Sequence, residues 1–201
     1  MMMIIVQHQM LSQKDILLRL APLLIQPTIF SSDFSMFRVA AVLVIIHYGK
    51  IIPHIILTKR SSNLRSHANE ISFPGGKYVK EDKSLIETAI RETKEEIGID
   101  IMRRDIIGRL ERVKTLTSNF IIMPFVTLQD RISEPKIYVD EIEKVIDVPL
   151  MEVLGTIAPD IDHYNLSVTE VYKFTYENEV IWGATARILK QLYDCLCINR
   201  K

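Results

Sequence analysis

The sequence predicts an α/β fold, a sandwich of helices around a mixed sheet. Three observations predict it. Arg38–His47 is a β-branched apolar run with the composition of a buried strand. Ser84–Ile97 is an amphipathic segment with a capping residue at its start and Gly98 at its end, as a helix requires. Further strand-like runs lie between that helix and a second helical segment, Ala184–Cys195.

The elements follow in order. Ser12–Leu20 reads as a helix, with Ser12 as its cap and Pro22 near its end. Gln26–Ser35 is a connector rich in Ser, Pro and Asp. After Arg38–His47, Tyr48-Gly49-Lys50 is a turn and Ile51–Thr58 a second strand. Ser61–Ser72 is polar and irregular, and Pro74-Gly75-Gly76 reads as a tight turn. Ile106–Leu110, Ile121–Thr127 and Tyr172–Tyr176 are strands. Val148–Leu154 is a short helical piece, and Ile181-Trp182 opens the last helix. The division expected is an N-terminal helix and connector, 1–35, followed by one domain, 36–201.

Composition narrows the function. Of 201 residues, 48% are hydrophobic, enough for a sizeable core. The formal net charge is zero, which argues against a general nucleic-acid or membrane-surface binder. No apolar run approaches the roughly 20 residues of a membrane span. The apolar start, Met1–Val6, is short and lacks a basic leader, so no secretory signal is read. Cys195 and Cys197 are too few for a disulfide framework and complete no zinc pattern. Ordinary thiols in a reducing compartment, the cytoplasm, are the reading. The oligomeric state is open, and a homodimer is one state the sequence allows.

The chemistry concentrates between Gly75 and Gly98. Ser84 and Glu87 have the spacing of a capping box, and Gly98 is a natural terminator. Ile86, Ala89, Ile90, Thr93 and Ile97 share one helix face, the core face. Glu92, Glu95 and Glu96 share another. Three adjacent carboxylates repel one another unless a cation neutralises them. Hard divalent ions, Mg²⁺ or Mn²⁺, prefer such oxygen ligands. Arg91 can orient a carboxylate through its planar fork. The Gly-Gly pair lets the backbone approach closely and offers the Gly76 carbonyl to a metal. Glutamates on a helix are usually a solvated face. Here the glycine pair, the cap, the arginine and the third glutamate occur together in one order.

Gly76…Asp82…Arg91-Glu92-Thr93-Lys94-Glu95-Glu96-Ile97-Gly98-Ile99 resembles the Nudix box. Asp82 stands where the commonest form has glutamate, and one extra residue separates it from Arg91. The resemblance implies a Nudix-type α/β/α sandwich around a mixed sheet. It implies that Glu92, Glu95 and Glu96 hold divalent ions, with the Gly76 carbonyl as a further ligand, and that Arg91 belongs to the catalytic set.

Leu57–Gly76 is similar to the signature that precedes the box in the coenzyme A diphosphatases, a subgroup that also carries the extra residue. Arg60, Leu64, His67 and Ser72-Phe73-Pro74-Gly75-Gly76 match in place, whereas Asn69 replaces a glycine. Asparagine tolerates left-handed backbone angles better than most residues, so the turn can survive. Thr117-Ser118-Asn119-Phe120, Pro124-Phe125-Val126, Asp140-Glu141-Ile142, Val148-Pro149-Leu150 and Ile181–Leu189 continue the likeness, which covers about residues 36–195. It implies cleavage of coenzyme A or acyl-coenzyme A to 3′,5′-ADP and 4′-phosphopantetheine or its acyl form. Lys59, Arg60 and Arg65 place positive charge before the box, as an anionic nucleotide substrate would want. His67 either binds phosphate or fixes the loop. Trp182 and Arg187 read as packing residues. The general base is Glu92, Glu95 or, on a later segment, Glu141. Two other readings stay open: a hydrolase of another nucleoside diphosphate derivative such as ADP-ribose, and a non-catalytic nucleotide-sensing module.

Overall fold

The computed structural model describes residues 11–22, 24, 38–64, 66–115, 118–161 and 171–198. Arg65, Thr117, the connector 26–35 and the apolar start 1–6 lie outside the described residues.

Helix α1 (Gln13–Leu20) starts at Ser12, whose side chain accepts the Asp15 amide while Asp15 accepts the Ser12 amide, a complete capping box. Strand β1 (Arg38–His47) is the axis of an eight-stranded mixed sheet. Along one edge it pairs in parallel with β7 (Phe120–Gln129) over its whole length. Its other edge is divided. Strand β4 (Gly75–Lys77) pairs with Ala40–Val42, and β2 (His54–Arg60) pairs with Ile46 and His47. Strands β3 (Ile71–Ser72) and β8 (Ile142–Pro149) flank β2. Strands β5 (Ile106–Arg109) and β6 (Val113–Lys114) complete the β7 edge. Strands β9 (Ala158–Pro159), β10 (Tyr172–Tyr176) and β11 (Glu179–Ile181) form a small antiparallel sheet.

Alternation along β1 feeds two cores, as a strand buried on both faces must. Ala41, Leu43 and Ile45 pack with helix α2 (Leu85–Ile97). Val42, Val44 and Ile46 pack with α1 and with residues of α3 (Leu150–Gly155) and α4 (Gly183–Leu196). Helices therefore cover both faces of a mixed sheet, the predicted α/β/α sandwich.

Several boundaries differ from expectation. The pairing of His47 with His54 makes Tyr48–Pro53 one connection, so β2 begins after Pro53 and extends to Arg60. Pro53 has no amide to give the ladder, and Ile51 is exposed. Gly75-Gly76 is extended strand, not a tight turn. Val148 and Pro149 close β8, and the helix starts only at Leu150. Ile181 ends β11, and Trp182 is the extended residue before α4. Strand β8 itself was not expected. Among the described residues, no helix is long and apolar enough to cross a membrane.

Candidate active site

Helix α2 carries the site because both of its ends are fixed. Ser84 Oγ accepts the Glu87 amide at 3.3 Å, and Gly98 closes the helix in the left-handed conformation at φ 68°. Only half of the expected capping box forms. The Glu87 carboxylate reaches one residue further back and accepts the Lys83 amide at 3.1 Å.

One guanidinium organises the acidic cluster. Arg91 Nε and Nη2 donate to the two oxygens of Asp82 at 2.8 and 2.9 Å. Arg91 Nη2 also lies 2.9 Å from Glu92 Oε1, and Nη1 donates to Glu95 Oε2 at 2.9 Å. Asp82 is buried and takes a further hydrogen bond from Thr88 Oγ1 at 2.8 Å. The Arg91 fork beside it holds its carboxyl below the usual range, and Asp82 in turn keeps Arg91 firmly protonated. Asp82 thus orients Arg91, a part that its place in the motif did not reveal.

Glu92 and Glu96 meet the glycine pair. Glu96, buried at 8% exposure, accepts the Gly75 amide at 3.1 Å. The Glu92 carboxylate lies against Gly76 so closely that a Cβ there would come within 2.5 Å of it. A Cβ on Gly75, at φ 145°, would fall 2.3 Å from the Ala41 carbonyl oxygen. The two glycines are therefore needed for close approach, one to α2 and one to β1. Burial pushes the Glu96 carboxyl up to about 7, against the pull of the Gly75 amide, and the neighbouring Glu92 raises it further. Burial raises Glu92 as well, although Arg91 opposes it. Glu95 is more than half exposed.

A second group reaches this centre from the β2–β8 pair. Arg60 Nη2 donates to Glu141 Oε2 at 3.1 Å, and the Ser61 amide donates to the Glu141 carbonyl at 2.8 Å. Both charges act on Glu96, Arg60 lowering and Glu141 raising its protonation. Arg60 Nε is buried and has no hydrogen-bond partner. The structure thus gathers Gly76, Arg91, Glu92, Glu95, Glu96, Arg60 and Glu141 around one end of the sheet.

It does not gather all the expected residues. Strand alternation sends Lys59 to the opposite face from Arg60, where its ammonium lies 2.7 Å from Glu179 and 3.5 Å from Glu143. His67 sits in the loop before β3 at φ 58°, with Nδ1 3.0 Å from the Glu70 carboxylate. Asn69 is also left-handed, at φ 61°, as its replacement of glycine requires. Arg187 donates to the Lys114 carbonyl at 2.7 Å, a structural contact.

A family profile for the NUDIX domain matches residues 36–167. This chain belongs to the Nudix family. Nudix hydrolases generally use divalent metal ions, and the all-oxygen donor set of Glu92, Glu95 and Glu96 beside Gly76 suits them. The chain is 34% identical over 146 residues to the uncharacterized Nudix hydrolase NudL of Photorhabdus laumondii, covering 70% of this chain and 75% of that protein. It is 36% identical over 147 residues to NudL of Yersinia enterocolitica, covering 70% and 72%. The MutT protein of Methanosarcina mazei Go1 shares the fold, with a TM-score of 0.54 and 24% identity over 82% of this chain and 96% of that one. The protein is accordingly a Nudix hydrolase, an enzyme that cleaves a nucleoside diphosphate derivative.

Proposed function

We propose that this Nudix hydrolase cleaves the diphosphate of coenzyme A or acyl-coenzyme A, giving 3′,5′-ADP and 4′-phosphopantetheine or its acyl form. The observation that carries the chemistry is the meeting of Glu92 and Glu96 on Gly75-Gly76. Two carboxylates whose protonation is pushed up by burial are poor isolated anions and good cation ligands. Glu92, Glu95 and Glu96 would hold Mg²⁺ or Mn²⁺, with the Gly76 carbonyl as a further ligand. Such ions, when bound, activate water and neutralise charge on the diphosphate oxygens.

The chain's own residues do the rest. Arg91, locked by Asp82, holds Glu92 and Glu95 in place. Arg60 offers its unpaired Nε to a phosphate oxygen. Glu141, beside Arg60 with most of its side chain exposed, takes the proton of the attacking water. His67 fixes the substrate loop through Glu70. Support for coenzyme A comes from the run Leu57–Gly76 and from the left-handed Asn69, which keeps the turn that glycine would make. The two cysteines, Cys195 and Cys197, are not in a disulfide, which supports a reducing compartment, and the cytoplasm is the proposed location.

Chromatographic product analysis tests the reading. The purified protein is incubated with Mg²⁺ or Mn²⁺ and, separately, with coenzyme A, acetyl-coenzyme A, ADP-ribose and a nucleoside triphosphate. Release of 3′,5′-ADP from the coenzyme A compounds, well above all other turnover, is the expected result. Preferential cleavage of another compound would sink the substrate assignment and leave the Nudix chemistry standing. No turnover of any compound with metal bound would favour a sensing module.

A further inference from the structure

At the far end of the sheet, three metal-ligating side chains converge on one point. His47 ends β1, His54 opens β2 and Asp147 lies on β8, with His47 paired to His54 and Ile56 to Asp147. His47 Nε2 is 3.0 Å and His54 Nδ1 2.8 Å from the same oxygen, Asp147 Oδ1. One ligand atom from each of the three lies within 4.8 Å of the others. The histidine side chains are 3% and 6% exposed, whereas that of Asp147 is 31% exposed and opens the group to solvent. His54 and Arg60 are six residues apart on β2, so this cluster is about 20 Å from the glutamate centre.

We propose that His47, His54 and Asp147 form a second metal site, one for a borderline ion of the Zn²⁺ class. Imidazole nitrogen selects such ions over Mg²⁺, which the all-oxygen glutamate cluster suits. Two histidines and a carboxylate, with one side open, are an established ligand set for Zn²⁺. With bonds of about 2.0–2.1 Å, tetrahedral ligands stand roughly 3.3 Å apart, little more than the hydrogen-bond distances here.

Two features set how the site would work. Lys50 Nζ lies 3.0 Å from Asp147 Oδ2, an ammonium competing for the same carboxylate, and its side chain is 55% exposed and free to swing away. The Gly49 amide donates to His47 Nδ1 at 3.3 Å, which places the ring proton on Nε2. Ligation through Nε2 moves that proton to Nδ1 and breaks the Gly49 contact. His54, which faces the same oxygen through Nδ1, would ligate through that atom and carry its ring proton on Nε2. Ion binding is thereby coupled to the turn between β1 and β2.

The test is a Zn²⁺ titration of the full chain against a chromophoric chelator, in saturating Mg²⁺ to occupy the glutamates. Co²⁺ absorption reports the geometry, and the Gly49 amide resonance reports the tautomer change. One equivalent of Zn²⁺ should bind, with the visible bands of a tetrahedral Co²⁺ site and a shifted Gly49 resonance. His54→Gln or Asp147→Asn should weaken binding by roughly ten-fold or more. Lys50→Met, at an exposed position that leaves the fold intact, should tighten it. Glu96→Gln should leave it unchanged. The proposal is overturned by no Zn²⁺ binding in Mg²⁺, by affinity indifferent to Lys50→Met, or by binding that depends on Glu96 and not on His54.

Discussion

Glu96 shows what a single residue contributes. It lies at 8% exposure, yet α2 directs it at the Gly75 amide, where one hydrogen bond does not offset the loss of water. Its folded value, about 7, stands above the ordinary 4.5, so between these values the folded chain keeps a proton that the unfolded chain releases. The sign is the reverse of the usual carboxylate case. Stability from this group is fully present below about 4.5 and is lost as pH rises through about 7. In a chelating buffer at about pH 8, Glu96→Gln should therefore raise the unfolding free energy by up to roughly 3 kcal/mol. Added Mg²⁺ should stabilise the parent and not the variant, whose turnover should collapse. Urea denaturation with and without Mg²⁺ measures both, and a variant no more stable than its parent would refute the burial argument. The glutamates themselves were legible in sequence, because their helical spacing is independent of the rest of the fold. The separation of Arg60 from Lys59 was not. Which basic residue faces the glutamates depends on the register of β2, and Pro53 shifts its start.

At the scale of the element, β4 is the instructive case. A Gly-Gly pair after proline has the composition of a turn, and local propensity alone reads it so. The actual need is tertiary: β4 must lie against β1 on one side and under Glu92 on the other. The two glycines serve these needs separately, and substitution tells them apart. Gly75→Ala puts a Cβ 2.3 Å from the Ala41 oxygen at a φ that L-residues avoid, so β4 must leave β1. Its cost should be roughly 2–4 kcal/mol of stability. Gly76 lies outside the left-handed region, and the atoms nearest its Cβ would be those of the Glu92 carboxylate, at 2.5 Å. Gly76→Ala should leave the melting temperature within a few degrees and reduce kcat about 100-fold by displacing Glu92. Thermal melts beside steady-state kinetics distinguish these outcomes. Equal destabilisation by both would mean that Gly76 serves the strand and not the site. Strand β8 is hard to read from the sequence for a related reason. Ile142-Glu143-Lys144-Val145-Ile146-Asp147 mixes charge into an apolar strand: Glu143 meets Lys59, Lys144 meets Glu177, and Asp147 meets His47 and His54, all on neighbouring segments.

For the whole molecule, the question is where the folding unit begins. The sequence suggests a break near residue 35, since a connector of Ser, Pro and Asp separates the first helix from β1. The packing of α1 points the other way. Leu11, Ile16 and Leu20 belong to the same core as β1, β2 and α4, and Ile16 and Leu20 are fully buried. Arg19 Nη1 donates to the Leu196 carbonyl at 2.7 Å, and Tyr48 donates to the Leu11 carbonyl at 3.1 Å. Helix α1 thus ties the last helix to the turn after β1. This was not legible in sequence, because an eight-residue amphipathic helix shows that it must bury a face, not against what. If α1 is part of the cooperative unit, Ile16→Ala should cost roughly 2–4 kcal/mol. Unfolding should remain a single transition, displaced to lower urea with an unchanged slope. Turnover below that transition should not change, because α1 packs on the face opposite α2 and its glutamates. A midpoint indistinguishable from the parent's would instead make α1 an appendage, with the fold beginning at β1.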